Sequence, residues 1–245
     1  MHRALRNGMN DVGIGALFGL YDYRYEVLGL LAHVESLMNE FNIGPHTISI
    51  PRLQYANNAP YSSSSIYSVS DRDFKKLVAI LRLAVPYTGM ILSTRESSDI
   101  RMELLNLGIS QISAGSVTTP GGYKQRFSTE DNAQFALNDN RTSAEIINDI
   151  IKRGFIPSFC TACYRVGRVG EKFMNIVKQG NIKTFCEINS LTTLKEYLLD
   201  YADDKTKIIG NNLIQNELKA FSSDERILAE QLLSEIEKGK RDLTI

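Results

Sequence analysis

The sequence predicts an α/β chain that runs as about four βα units and then turns mainly helical, and three observations predict it. Short β-branched runs alternate with amphipathic stretches through the first 115 residues, the pattern of parallel strands joined by crossover helices. Within the amphipathic stretches apolar residues recur three or four apart, which puts them on one face of a helix. Beyond Thr118 the strand-like runs stop, and a turn-rich stretch gives way to helical periodicity.

The first strand is VGIGAL (12–17). The helix after it runs near 26–41, with Val27, Leu31, Val34, Leu37, Met38 and Phe41 on one face. The second strand is HTISI (46–50), stopped by Pro51. A polar loop, NNAPYSSSSIYSVS, leads to Ser70, an N-cap for a helix carrying Phe74, Leu77, Val78 and Leu81. GMILS (89–93) is the third strand. Ser97 or Ser98 caps the next helix, Leu104, Leu105 and Leu107 bury it, and Gly108 ends it where positive φ is usual. ISQISA (109–114) is the fourth strand. TTPGGYKQRFSTEDNAQFALNDN then reads as a linker or extended loop. After it come a helix from Ser143 to Arg153 closed by Gly154, the extended FIPSF, a cysteine-bearing stretch and at least two more helices. The last, near 224–238, places Ile227, Leu228, Leu232, Leu233 and Ile236 on one face.

Four βα units do not close a barrel, which needs about 200–250 residues by itself. The opening MHRALRNGMNDVG reads as the tail of a helix turning into a strand rather than the free start of a domain. The expected architecture is therefore the C-terminal half of a (βα)8 TIM-type barrel over 1–118, its first half missing, followed by a mostly helical domain over 119–245.

Composition excludes several classes of function. With 43% hydrophobic residues in 245, the chain can build one or two real cores. Lys+Arg and Asp+Glu number 28 each, so no global field draws it to nucleic acid or to an anionic membrane. There is no apolar run of about 18 residues and no signal-peptide pattern, which makes the cytoplasm the expected location.

All three cysteines, Cys160, Cys163 and Cys186, lie in SFCTACYRVGRVGEKFMNIVKQGNIKTFCE. An odd count with a Cys-x2-Cys pair is no disulfide framework and points to metal or redox chemistry. Spacing alone leaves four readings open. An iron–sulfur cluster held by three thiolates keeps one iron free for a non-protein ligand. A structural zinc needs a fourth donor from His2, His33 or His46. A thioredoxin-like pair leaves Cys186 unexplained. The cysteines can also be inert core residues.

The segments VGIGALFGLYDYR, IPRL, LSTRES and SAGSVTTPGGY, followed by Cys-x2-Cys-x22-Cys, resemble in order the C-terminal half of the radical SAM tyrosine lyases. They are most similar to the FeFe-hydrogenase maturase branch, with the thiamine-pathway 2-iminoacetate synthases as near relatives and a shared biotin and thiamin synthesis-associated region. The resemblance implies a barrel in which a first 4Fe-4S cluster, bound by Cys-x3-Cys-x2-Cys, cleaves S-adenosylmethionine. The resulting radical breaks tyrosine into p-cresol and dehydroglycine. In the maturase branch carbon monoxide and cyanide then form at an auxiliary 4Fe-4S cluster with a labile extra iron, for hydrogenase maturation. No Cys-x3-Cys-x2-Cys is present in the 245 residues, so the chain is expected to be a truncated member that cleaves tyrosine only when the other half is supplied, with hydrogenase maturation proteins as further partners. The alternatives are a non-catalytic metal or iron–sulfur module and a 2-iminoacetate synthase.

The same resemblance assigns the auxiliary cluster to Cys160, Cys163 and Cys186 and the labile iron to His46. His33 and His2 are expected to be structural. Arg95 directly follows the third strand, at the C-terminal end where barrel enzymes place their chemistry, and a guanidinium there can clamp a carboxylate in a bidentate fork. By resemblance that carboxylate is tyrosine's; the competing reading is a salt bridge to Glu96, Asp99 or Glu103. Ser113 and Ser116 flank the end of the fourth strand as groups for a small polar ligand or as turn caps. Gly13 and Gly15 are where the family brings backbone close to the adenine of S-adenosylmethionine. Gly121 and Gly122 read as turn residues. Arg165 and Arg168 can serve the cluster or the solvent, and Tyr21, Tyr23 and Tyr25 alternate along an extended segment and pack only. Unpaired sheet edges favour a homodimer.

Overall fold

The computed structural model describes residues 1–124, 133–180 and 182–245, so the middle of the expected linker, 125–132, lies outside the described residues. The chain divides into two compact units, Met1–Thr142 and Ser143–Ile245. Residues 133–142, which the sequence assigns to the second domain, pack within the first unit. Ala136 N donates to Tyr55 O at 2.9 Å, and Asn138 N and Asp139 N both donate to Thr94 O, at 3.0 and 3.1 Å.

In the first unit the elements run α1 (His2–Arg6), β1 (Gly13–Gly15), α2 (Tyr23–Phe41), β2 (Thr47–Ser49), α3 (Tyr61–Ser64), α4 (Asp71–Ala84), β3 (Gly89–Leu92), α5 (Ser98–Leu105) and β4 (Gln111–Ile112). The four strands are parallel and pair in sequential order, β1-β2-β3-β4. An order without reversal has no topological switch point, which separates it from a doubly wound sheet. It is the order of consecutive units in a (βα)8 barrel, as the sequence predicts.

Capping fixes where the crossover helices begin. Asp22 accepts from Arg24 N at 2.8 Å to open α2, and Ser70 accepts from Asp73 N at 3.1 Å to open α4. The Asp22 cap also corrects the reading of the tyrosines: Tyr23 and Tyr25 stand in the first turn of α2, not on an extended segment. The Tyr23 hydroxyl donates to Asp73 at 3.0 Å, tying α2 to α4. Gly108, at φ +102, ends the α5 region as its residue type predicts.

The pleat sorts the strands into two faces. Ile14, Ile48, Ile50, Met90 and Leu92 are buried with Phe74, Leu77, Val78 and Leu81 of α4 and Val27, Val34 and Leu37 of α2 in one core. The opposite face carries Gly13, Thr47 and Gly89 in one row and Gly15, Ser49, Ile91 and Gln111 in the next. That face holds small and polar residues where a closed barrel usually stacks bulky branched ones, so it leaves room for a ligand.

The second unit contains α6 (Ser143–Lys152), α7 (Ala162–Arg165), α8 (Gly170–Lys178), α9 (Ile182–Asp200), α10 (Asp204–Leu218) and α11 (Ser223–Glu237) among the described residues. Its core gathers Ile147 and Ile151 of α6, Ile188, Leu191, Leu194 and Leu198 of α9, Ile214 and Leu218 of α10, and Ala229 and Leu233 of α11. Gly210 lets α9 and α10 approach, since a Cβ there would stand 2.6 Å from Leu198 Cδ2. Ser222 and Glu225 open α11 with a reciprocal capping box. The buried stripe of α11 is Ala229, Leu233 and Ile236, with Leu232 at its edge. Ile227 and Leu228, which the sequence places on that face, are exposed at 54% and 37%, because small Ala229 sets the line of closest approach.

Candidate functional site

Two groups of predicted site residues are described, one in each unit. In the first unit the C-terminal ends of the strands carry polar side chains that the core does not use. Gly13 and Gly15 lie on the open face of β1, and the neighbouring strand already limits their size. A Cβ at Gly15 would stand 2.6 Å from the Ser49 carbonyl oxygen, and one at Gly13 would stand 2.6 Å from Thr47 Oγ1.

Arg95, just past β3, is half-buried, with its guanidinium carbon 3.5 Å from the Phe135 ring centroid. Burial pushes its pKa below the ordinary arginine range, with the Glu96 charge opposing that shift. Two of the three acids in the competing salt-bridge reading, Glu96 and Glu103, are engaged elsewhere. Glu96 is buried and takes Arg52 Nε at 3.0 Å on both oxygens, and Glu103 pairs with Lys75. Among the described residues Arg95 makes no ion pair, and the Glu96 charge acts on it without a direct contact.

Ser113 closes β4. Its N–H donates to Leu92 O at 3.0 Å, and its carbonyl accepts from Arg101. Ser116, three residues on, is half-buried.

Sequence reasoning missed two residue sets here. Arg52, in the IPRL segment, donates to Val69 O at 2.9 Å, pairs with Asp71 at 2.8 Å and stacks on Phe74 at 4.5 Å besides holding Glu96. With Phe18, Gly19, Gln54 and the serine loop it lines a cavity of about 360 Å³. Arg101 is fully buried inside α5 and paired with buried Asp139, which Arg141 also grips at 2.8 Å. Burial alone would raise the Asp139 carboxyl, but the Arg141 hydrogen bonds and the Arg101 charge hold it below its ordinary range. Arg101 falls among the apolar positions of α5, and only an acid 38 residues downstream explains it. Periodicity cannot see that partner.

His46 immediately precedes β2, at the N-terminal end of the sheet. Its N–H donates to Val12 O at 2.9 Å, its carbonyl accepts from Gly89 N at 2.8 Å, and its ring Nδ1 stands 3.1 Å from Asp11 Oδ2. His33 on α2 stacks on His2 at 5.7 Å.

In the second unit the three cysteines are free thiols on neighbouring elements. Cys160 ends the extended run before α7, Cys163 lies in α7 and Cys186 in the first turns of α9. Thr193 of α9 ties the run down: its hydroxyl accepts from Phe159 N at 3.4 Å and meets Ser158 Oγ at 3.2 Å. Burial raises the pKa of Cys163 and of Cys186. The Cys160 charge raises both further, the Cys163 charge raises Cys186, and Arg168 pulls both down.

Among the described residues no three His, Cys, Asp or Glu side chains stand close enough for a single metal ion. One tetrahedral ion would need sulfurs about 3.8 Å apart, whereas the thiolates of a cubane bind different irons and stand wider.

The two nearby arginines divide. Arg165 makes an exposed pair with Asp242 at 3.1 Å. Arg168 stacks on Phe185 at 4.8 Å and donates to Ile245 O at 2.6 Å, while the Ile245 backbone is held by buried Asn189 in both directions, at 2.9 and 3.3 Å. Arg168 is thus the more firmly held of the two, and its charge acts on Cys163 and Cys186.

Residues 49–156 match the Biotin and Thiamin Synthesis associated domain, so the cysteine stretch lies outside that match. The chain is 27% identical over 168 residues to the 2-iminoacetate synthase of Escherichia coli (strain K12), covering 68% of this chain and 43% of that protein. To the 2-iminoacetate synthase of Salmonella typhimurium it is 28% identical over 153 residues, covering 62% and 39%. Among solved structures it superposes on HydG, a maturase of the FeFe-hydrogenase, with a TM-score of 0.94 and 49% identity, over 100% of this chain and 53% of that one. The FeFe-hydrogenase maturase HydG from Carboxydothermus hydrogenoformans gives a TM-score of 0.73 and 41% identity, over 95% and 49%. The chain spans about half the length of these relatives. No described helix is long and apolar enough to cross a membrane.

Proposed function

Because the chain belongs to the family of the FeFe-hydrogenase maturase HydG and 2-iminoacetate synthase, we propose that it is the auxiliary-cluster part of a radical SAM tyrosine lyase serving hydrogenase maturation. The observation that carries the maturase reading over the thiamine-pathway one is the trio of free thiols, from α7, the run before it and α9, with the Arg168 charge acting on two of them. Cys160, Cys163 and Cys186 would hold a 4Fe-4S auxiliary cluster, and His46 would hold a labile extra iron. When bound, a three-thiolate cluster supplies an iron corner open to a non-protein ligand, where carbon monoxide and cyanide would form.

The chain's own residues do the rest. Arg95 takes the tyrosine carboxylate in a bidentate fork; that it makes no ion pair among the described residues supports this role. Ser113 and Ser116 offer polar groups at the end of β4. The small residues of the open sheet face leave space for the substrate and for the adenine of S-adenosylmethionine beside Gly13 and Gly15. Cleavage of tyrosine to p-cresol and dehydroglycine requires a second half that carries Cys-x3-Cys-x2-Cys, since none is among these 245 residues.

Co-expression of this chain with such a half tests the reading. The expected result is p-cresol formed from tyrosine in the presence of S-adenosylmethionine and a reductant, and lost with Arg95→Gln. An assembled complex that consumes S-adenosylmethionine and yields no p-cresol would contradict it.

A further inference from the structure

Arg95 is a half-buried cation that makes no ion pair among the described residues, although the Glu96 charge acts on it, and a crossing chain segment packs against it. Its guanidinium lies over the ring of Phe135 at 3.5 Å, and its carbonyl accepts from Asn138 Nδ2 at 2.7 Å. The segment is fixed along its length. Thr118 Oγ1 donates to Phe135 O at 3.0 Å, Ala136 N to Tyr55 O at 2.9 Å, and Asn138 N and Asp139 N to Thr94 O. Its end is anchored by Asp139, buried against Arg101 and Arg141. Residues 134–139 therefore reach across the chain beyond β4, β3 and β2.

An aromatic face suits this task better than an acid. A carboxylate in place of Phe135 would neutralise the guanidinium and compete with any anionic ligand. A ring attracts the cation through its quadrupole and consumes none of its five N–H donors. A long arginine side chain otherwise loses much rotamer freedom on binding, and a ring that holds it beforehand removes part of that loss.

We infer that Phe135 and Asn138 are positioning residues that preset Arg95 for bidentate capture of an amino-acid carboxylate. The inference rests on the carboxylate role proposed for Arg95.

The Arg95 Nε–H resonance, followed by NMR in the 245-residue chain during titration with tyrosine and with tyramine, which lacks the carboxylate, tests it, with the affinity of each variant for both ligands read by isothermal titration calorimetry. Tyrosine moves the resonance and tyramine does not. Phe135→Leu weakens tyrosine about 3- to 30-fold, the range a cation–π contact supplies, and leaves tyramine unchanged. Phe135→Tyr, which keeps the ring, retains wild-type affinity. Equal weakening of both ligands would mean that Phe135 only supports the fold, and unchanged tyrosine affinity in Phe135→Leu would overturn the inference as well. Arg95→Gln separates the two readings. If it abolishes the preference for tyrosine while Phe135→Leu is silent, only the positioning role fails. If it leaves the preference intact, or if tyrosine never moves the Arg95 resonance, the carboxylate role falls and the positioning role with it.

Discussion

Asp139→Ala is expected to be among the most damaging single changes in the first unit. The Arg101 side chain is 0% exposed and that of Asp139 1%. Removing the acid leaves buried Arg101 with the Ser113 carbonyl as its remaining hydrogen-bond partner and only the Glu96 charge stabilising it without a direct pair, and a buried charge stripped of its partner costs about 3–5 kcal/mol. At about 2–4 °C per kcal/mol for a unit of this size, the melting temperature falls by about 6–20 °C. Arg101→Met is milder, about 1–3 kcal/mol, because Asp139 keeps Arg141 and the chief loss is the donor to Ser113 O. The double variant recovers part of the Asp139→Ala loss, since the stranded charge is gone. Thermal unfolding by circular dichroism measures all three. A melting temperature for Asp139→Ala within about 2 °C of wild type, or strict additivity of the two changes, would refute the reasoning.

The same carboxyl sets an acid limit. Its pKa is held down in the folded state, so its contribution is present above the unfolded value of about 3.9 and is lost as pH falls below that; wild type should lose first-unit stability under pH 4 more steeply than Asp139→Asn. Gly15→Ala meets the rigid Ser49 carbonyl and should cost about 1–3 kcal/mol by thermal unfolding, whereas Gly13→Ala meets a Thr47 hydroxyl that can rotate away and should cost less than about 1 kcal/mol. Equal losses would contradict that steric account. Strands β1 and β4 end the described sheet with one neighbour each, so the 245-residue chain should sediment as a dimer or larger; a clean monomer would oppose it.

The barrel units were legible because local signals carry them. Ser70 caps α4 and Gly108 takes positive φ where residue type alone predicts it, and Phe74, Leu77, Val78 and Leu81 are all fully buried. What was not legible depends on partners distant in sequence. Arg101 needs Asp139, Glu96 needs Arg52, and Arg95 meets Phe135, 40 residues on, rather than the nearby acids Glu96, Asp99 and Glu103. The α11 stripe was misplaced for a related reason: small Ala229 sets the packing line, and hydrophobicity alone favours Ile227 and Leu228. In the cysteine stretch, spacing offered both arginines equally, and only the contacts of Phe185, Asn189 and Ile245 single out Arg168.

Anaerobic loading of the 245-residue chain with iron and sulfide, followed by metal analysis and electron paramagnetic resonance of the reduced protein, tests the central claim most directly. The account predicts a 4Fe-4S signal with iron and sulfide in equal amounts, lost in Cys186→Ala while the circular-dichroism melt of the first unit is retained. A protein that takes up zinc in preference to iron, or a Cys186→Ala variant that keeps the same signal, would contradict it.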